Sequence, residues 1–376
     1  MNLKEIAEIK RRFRPDKHNI SRLCGCLVNE KKEILSVFEQ SLALMPQEEC
    51  DAVLSLLRKV LSGSKERNLI DISFTNAQVL DSEEHRLLST LRTSELGDKE
   101  ACSRLYDLVR EGYESEGNYL ILLCFNAYDV PSFKSDGERK EDSFTQYSFV
   151  TCAICPLKMT RATLGYRFTE GKLQNNTPNW EVAAPTVGFL FPAFDGRTSN
   201  IYNALFYKKD LAASHANLIE ALFHREAPMP PVAQKETFHT ILRDTLEEAC
   251  SIEVVKSMRE ELGTMVEEHK ATKDPDPLFV SKETVSAVLR QCGIEEARVE
   301  RFESRFDEAF GAKTEMPPAN MIEMKQLQVK TPEVSIRIAS DAEDVLETRI
   351  LDGKKCIVIR ADGIVEVNGM EISITD

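Results

Sequence analysis

Few residues in this chain have types and spacings that could do chemistry, and the densest group lies in FPAFDGRTSNIYNALFYKKD, residues 191–210. There Asp195, Arg197 and Asn200 stand between an aromatic run and a run of helix-like apolar spacing. A carboxylate, a guanidinium and a carboxamide at the start of a helix would gather around its free amides and positive dipole end, where an anion is favoured. Tyr128 and Asp129, at the end of an earlier apolar strand, could complete such a pocket. A structural reading competes with this one. Asp195-Gly196 is a turn pair, Thr198 or Ser199 suits a helix N-cap, and Arg197 could brace the loop by pairing with Asp195.

A second group is the basic arm. Residues 1–22 hold seven basic side chains against three acidic ones, so this segment is +4 within a chain of net charge −14 and the remainder is −18. Ile6, Ile9 and Phe13 recur at helical spacing and predict a short helix over 2–14, ended by Pro15. Arg11, Arg12, Arg14 and Lys17 would then lie away from the apolar stripe, either as a contact for an anionic partner or as a solvated face.

Thiols and imidazoles point away from a metal centre. Cys152 and Cys155 are spaced as C-x-x-C, but inside a strand-like run positions three apart face opposite sides, so the two cannot chelate one ion. Cys24 and Cys26 would share one face of a hairpin, a spacing unlike a zinc knuckle. None of the six histidines stands in H-E-x-x-H, and His215 falls on an apolar stripe as a core histidine would. There is no G-x-S-x-G, no G-x-G-x-x-G and no P-loop. No metal, no cofactor and no catalytic residue is expected.

The elements that must position these residues follow from composition and period. At 376 residues, 42% hydrophobic and 29% charged, the chain can build two or three cores without staples. Ten cysteines, no secretory h-region and no apolar run of roughly 20 residues point to a cytoplasmic protein with reduced thiols and no membrane span. The acidic balance weighs against broad binding to a phosphate backbone.

Period and punctuation predict a hairpin over ISRLCGCLVNEKKEILSVFEQ, helices over 46–61, 82–93 and 99–111, and a strand at NLIDISF. Four strands follow, NYLILLCFNAYDV, QYSFVTCAICPL, TLGYRF and WEVAAPTVGFLFPAF, the first two bracketing a polar loop at 132–143; short connections make the sheet antiparallel. From Ser199 the period reads as helical, with Ile201, Tyr202, Leu205 and Phe206 on one stripe and Leu211, Leu218, Ile219 and Leu222 on the next. Helices from about 235 and over 252–269 lead to a linker at 270–277. Two more helices carry Val285, Val288 and Leu289, then Val299, Phe302, Phe306 and Phe310, inward. Their turn looks like a DNA-reading one, but Glu295, Glu296, Glu300, Glu303, Asp307 and Glu308 on the second would be repelled by phosphates. The expected fold class is α+β, an antiparallel sheet with flanking helices, a helical middle region and a small β-rich C-terminal lobe. Its boundaries are read as 1–198, 199–312, a linker at 313–332, and 333–376, with Asp352-Gly353 and Asn368-Gly369 as hairpin turns in the lobe.

The stretches EIKRRFRPDKHNISRLCGCLVNEKKEI, NLIDISF, DSEEHRLL, EGNYLILL, FPAFDGRTSNIYNALFY, ETRILDGKKCIVI and VEVNG together resemble an uncharacterised bacterial family known only as a domain of unknown function. That resemblance brings no function. In element order, with a helical middle opening near Gly196-Arg197 and a short β tail at 334–367, the chain is also similar to the bacterial nucleoid-associated proteins. This second likeness implies a non-enzymatic protein that binds a macromolecular partner, a protein of the nucleoid or of the DNA-handling machinery. The alternative is an enzyme or small-anion-binding protein built on the Asp195, Arg197 and Asn200 loop.

Overall fold

Alternating burial along two long strands organises the first half of the molecule. The computed structural model describes residues 1–20, 22–133, 139–176, 179–272, 274, 276–323, 326–339, 345–361, 363–367 and 369–373. The chain divides into two compact units, residues 1–230 and residues 231–274 with 278–376.

In chain order the first unit holds α1 (Leu3–Lys10), β1 (Arg22–Val28), β2 (Ile34–Ser41), α2 (Gln47–Lys59), β3 (Leu69–Ser73), α3 (Asn76–Asp81), α4 (Glu83–Thr93) and α5 (Lys99–Gly112). Then come β4 (Tyr119–Phe133), β5 (Arg139–Met159), β6 (Thr163–Arg167), β7 (Lys172–Asn176), β8 (Trp180–Val182), β9 (Val187–Phe191), β10 (Ala193–Asp195), β11 (Thr198–Asn200), β12 (Asn203–Lys208) and α6 (Ala216–Phe223). The expected loop at 132–143 overlaps residues 134–138, which lie outside the described set. The main sheet runs β2-β1-β4-β5-β9-β12-β3, with β8 also paired to β5, and its neighbours are antiparallel.

Because side chains alternate, each strand feeds two cores. On one face Ile121, Leu123, Cys152 and Ile154 pack with Leu88 and Leu91 of α4, Leu105 and Val109 of α5, and Leu222 of α6. On the other, Leu122, Cys124, Tyr128, Ala153 and Cys155 pack with Ile6 and Ile9 of α1, Phe13, and Leu54 and Leu57 of α2. Cys152 and Cys155 therefore face opposite sides of the sheet. The fold class is α+β, a large antiparallel sheet between helices.

The helix expected from Ser199 does not form. Thr198 and Ser199 belong to β11, which pairs with β10, and Leu205 and Phe206 belong to β12. Leu205 is buried in one core and Phe206 in the other. A strand covered on both faces has no polar alternation, so its apolar run mimics a helical stripe. The sheet thus draws strands from both sides of residue 198. Leu211 and His215 precede α6, with His215 at its N-cap in a left-handed conformation (φ +52°). TLGYRF also leaves the main sheet: among the described residues β6 pairs only with β7, and WEVAAPTVGFLFPAF breaks into β8, β9 and β10.

In the second unit α7 (Pro231–Leu246), α8 (Ile252–Thr272), α9 (Lys282–Gln291) and α10 (Glu296–Phe310) bury Phe238, Leu246, Met258, Val285, Leu289, Val299, Phe302 and Phe306 together. α8 continues through residues 270–272, where a linker was expected. The linker expected at 313–332 contains β13 (Gln326–Lys330), which pairs with β14 (Ser335–Ala339). Two hairpins follow, β15 (Leu346–Leu351) with β16 (Lys354–Ile359), and β17 (Val365–Val367) with β18 (Met370–Ile372). Of the second hairpin's expected turn, Gly369 has φ +81° and Asn368 lies outside the described residues. Among the described residues no helix is long and apolar enough to cross a membrane.

Candidate functional site

A capping box starts α1 on register: Asn2 Oδ1 accepts from the amides of Lys4 (3.1 Å) and Glu5 (3.0 Å), and Glu5 Oε2 accepts from the Asn2 amide (2.8 Å). Ile6, Ile9 and Phe13 then seat the helix and the 3-10 turn Arg11–Phe13 on the sheet. With that stripe facing inward, the charged residues between its members point outward or along the sheet. Tyr128 of β4 lies beneath, on the same face.

Glu8 is where three elements meet. The Tyr128 hydroxyl donates to its Oε1 (2.6 Å) and the Arg197 guanidinium to its Oε2 (3.0 Å). Burial, and then the bond to Glu8, pushes the Tyr128 phenol up to about 12, so it stays a donor at neutral pH. Arg197 also donates to the Pro131 carbonyl (3.1 Å), and its backbone amide to Glu5 Oε1 (3.4 Å). The Arg12 guanidinium lies 4.1 Å from the centre of the Tyr128 ring, a cation–π contact, and its buried Nε has no hydrogen-bond partner among the described residues.

These groups line a cavity of about 390 Å³ whose charged wall is Lys4, Glu8, Arg11, Arg12 and Arg197. Among the described residues four cations and one carboxylate line it, and that carboxylate is already engaged by Tyr128 and Arg197. Lys4, Arg11 and Arg12 form no ion pair among the described residues. A second cavity of about 360 Å³ shares Arg12 and Tyr128 and adds Asp16, Lys17, His18 and Asp129. Its charges balance, so the cationic excess belongs to the first. Its positive excess suits an anion, and its one hydroxyl among the described residues, that of Tyr128, is held as a donor to Glu8.

The residues singled out in the sequence are thus regrouped. Arg197, Tyr128, Arg11 and Arg12 come together, while Asp129 and Lys17 border the adjoining cavity and Arg14 is exposed. Asp195 and Asn200 brace the turn instead: Asn200 Nδ2 donates to Asp195 Oδ2 (2.6 Å), and the Met1 amine pairs with Asp195 Oδ1 (2.6 Å). Burial alone would raise the Asp195 carboxyl, but its bonds to the Met1 amine and Asn200 outweigh it and hold the group below its ordinary value. Arg197 pairs with Glu8 and not, as the structural reading had it, with Asp195. No helix begins at Asn200, so no helix N-terminus stands behind the loop. Lys4 and Glu8 went unremarked as site residues; their one signal was four-residue spacing on the arm helix, which puts both on one face.

The fold and cavity together define an α+β protein with a cationic pocket and no described cluster of three or more metal-ligating side chains. Residues 1–370 match the family described as Domain of unknown function (DUF4317), and the chain belongs to that family. No curated protein and no solved structure matches the chain, so the likeness to nucleoid-associated proteins finds no support in either comparison.

Proposed function

We propose that this protein binds a phosphate-bearing anion, without turning it over, in the cavity between α1, β4 and the β10–β11 turn. One observation carries the reading: among the described residues Lys4, Arg11 and Arg12 line a single cavity without an ion pair, beside Arg197 and an already engaged carboxylate, on a chain whose net charge is −14. Ordinary surface charge would intersperse both signs, and ion pairs elsewhere in the chain do so, as Arg290 does with Glu296 and Glu303. Arg12, with Lys4 and Arg11 beside it, supplies N–H donors that are committed to no ion pair among the described residues and that a tetrahedral anion accepts. Ten unpaired thiols suit the cytoplasm as the compartment.

Exposed Arg11, Arg14 and Lys17, continuing past the cavity, favour a second reading in which the anion is part of a macromolecule. The partner would then be a nucleic acid, or a protein of the nucleoid and DNA-handling machinery. A melting series with pyrophosphate decides the first reading: wild type should gain stability with ligand as RT ln(1 + [L]/Kd), and Arg12→Gln should lose that gain while melting normally alone. Absence of any ligand-dependent shift in the wild type overturns it. For the second reading, replacing Arg11, Arg12 and Arg14 by Gln should flatten the salt dependence of binding to single-stranded nucleic acid by about 0.7 unit for each phosphate that is no longer neutralised.

A further inference from the structure

On the opposite face of the sheet, Cys24 of β1 and Cys102 of α5 bring two thiols together. Both are buried, at 6% and 7% exposure. The Cys102 thiol donates to the Leu96 carbonyl (3.7 Å). Both line a cavity of about 270 Å³ whose wall includes Lys99, Glu39 and Tyr106. That volume is several times the roughly 30 Å³ of a water molecule.

Tyr106 supplies an independent observation. It is 1% exposed, and its hydroxyl has no hydrogen-bond partner among the described residues. A buried phenol without a partner is destabilising, and it persists most readily where a guest brings the missing acceptor. Two thiols and one unpaired hydroxyl lining the same small cavity define the chemistry of that guest: an electrophile with a compact oxygen acceptor.

We propose that this cavity is an oxidation site at which a small hydroperoxide converts Cys24 and Cys102 into a disulfide. The Cys24 thiolate attacks one oxygen of hydrogen peroxide. The O–O bond breaks, the sulfur becomes a sulfenic acid, and the departing oxygen takes a proton and leaves as water. Cys102 sulfur then attacks Cys24 sulfur; the S–O bond breaks and a second water leaves. In total two thiols are oxidised, one peroxide is reduced, and one disulfide and two waters form.

The two thiols differ in acidity: the Cys102 side chain outweighs burial and holds the Cys24 thiol below its ordinary value, while Cys24, and then burial, raises Cys102. Cys24 is therefore the attacking sulfur and Cys102 the resolving one. Tyr106 is the donor available to the departing oxygen. The resulting disulfide would tie β1 to α5 and close a long loop of the unfolded chain, which raises the melting temperature if the geometry is unstrained.

Peroxide treatment of the full chain, followed by peptide mapping without reductant, tests the site. The expected result is a cross-link between the peptides of Cys24 and Cys102, with the intact chain lighter by two hydrogens. Cys102→Ser should give instead a Cys24 sulfenic acid that a carbon-nucleophile probe traps. Tyr106→Phe removes an unpaired group, so it should fold as well as wild type and form the link about tenfold more slowly, the effect of one missing hydrogen bond. Exposed Cys250 is the internal control for reagent delivery. Oxidation of Cys250 with no Cys24–Cys102 link overturns the proposal, and so does a link that forms equally fast in urea-unfolded chain.

Discussion

The same dipeptide, Asp-Gly, turns two hairpins of this protein in two different frames. In the β15–β16 hairpin Leu351 pairs with Lys354, so Asp352 and Gly353 are the two corner residues, at φ +48° and +76°. In the β10–β11 hairpin Asp195 pairs with Thr198, so the corner is Gly196 and Arg197, at φ +56° and +59°. Asp and Gly are residues that tolerate this left-handed backbone, and the first turn is as cheap as such turns get. Arginine is not, and holding it there costs about 1 kcal/mol. The difference separates a corner chosen for its backbone from one that also aims a side chain, since Arg197 spans from the corner to Glu8 and Pro131.

Alanine at the two glycines breaks both turns and should have the largest effect on stability. An added Cβ at Gly196 or Gly353 meets nothing within 4 Å, so the cost is that of the backbone alone. Gly196→Ala and Gly353→Ala should each destabilise by about 1 kcal/mol, read by chemical denaturation monitored on the unit concerned. A neutral Gly196→Ala would mean that the β10–β11 corner does not hold positive φ in solution.

Arg197 sharpens the comparison, because its backbone and its side chain pull in opposite directions. Arg197→Gly relieves the corner but frees the unfolded chain and loses an ion pair that is 40% exposed on the arginine side, worth about 0.5 kcal/mol after screening. Arg197→Ala loses the pair and keeps the strain. The glycine variant should therefore be the more stable of the two by about 0.5 kcal/mol, while both lose the pyrophosphate-dependent rise in melting temperature. Equal stability of the two variants would argue that position 197 is unstrained; retained ligand response in either would remove Arg197 from the site.

Why the turn was misframed shows what the sequence can carry. The first hairpin, the α5 helix, the stripe Ile6, Ile9 and Phe13, and the opposite facing of Cys152 and Cys155 were all legible, because each rests on local period. The run around Leu205 and Phe206 was not: its polar faces are missing because helices cover both sides of the sheet, which no local window records. With a helix drawn from Ser199, Asp195-Gly196 became its lead-in turn and Thr198 or Ser199 its cap. In the candidate site, Arg197, Tyr128, Arg11 and Arg12 were each noticed, but as two groups, an arm and a loop. Their meeting at Glu8 depends on β4 and β10 lying under α1, a pairing of residues over a hundred positions apart. Cys102 and Tyr106 show the same limit, since nothing near them in sequence announces Cys24.

The smallest effect is one of pH, and it tests whether Asp195 belongs to the corner or to the pocket. Its carboxyl lies below its ordinary value in the fold, held there by the Met1 amine and Asn200 against burial. A carboxyl lowered in this way stabilises the native state at pH above its unfolded value, near 3.9, and that stabilisation is lost as pH falls through the folded value. Asp195→Asn removes the titrating group, so its stability should fall less steeply than that of the wild type on acidification below pH 4. At neutral pH the variant should be the less stable, having lost its charge-assisted bond to the Met1 amine. Since Asp195 does not line the cationic cavity, the pyrophosphate response of Asp195→Asn at neutral pH should match that of the wild type. A variant whose acid limb runs parallel to that of the wild type would remove the Met1–Asp195 pair from the account of the turn, and a weakened ligand response would return Asp195 to the site.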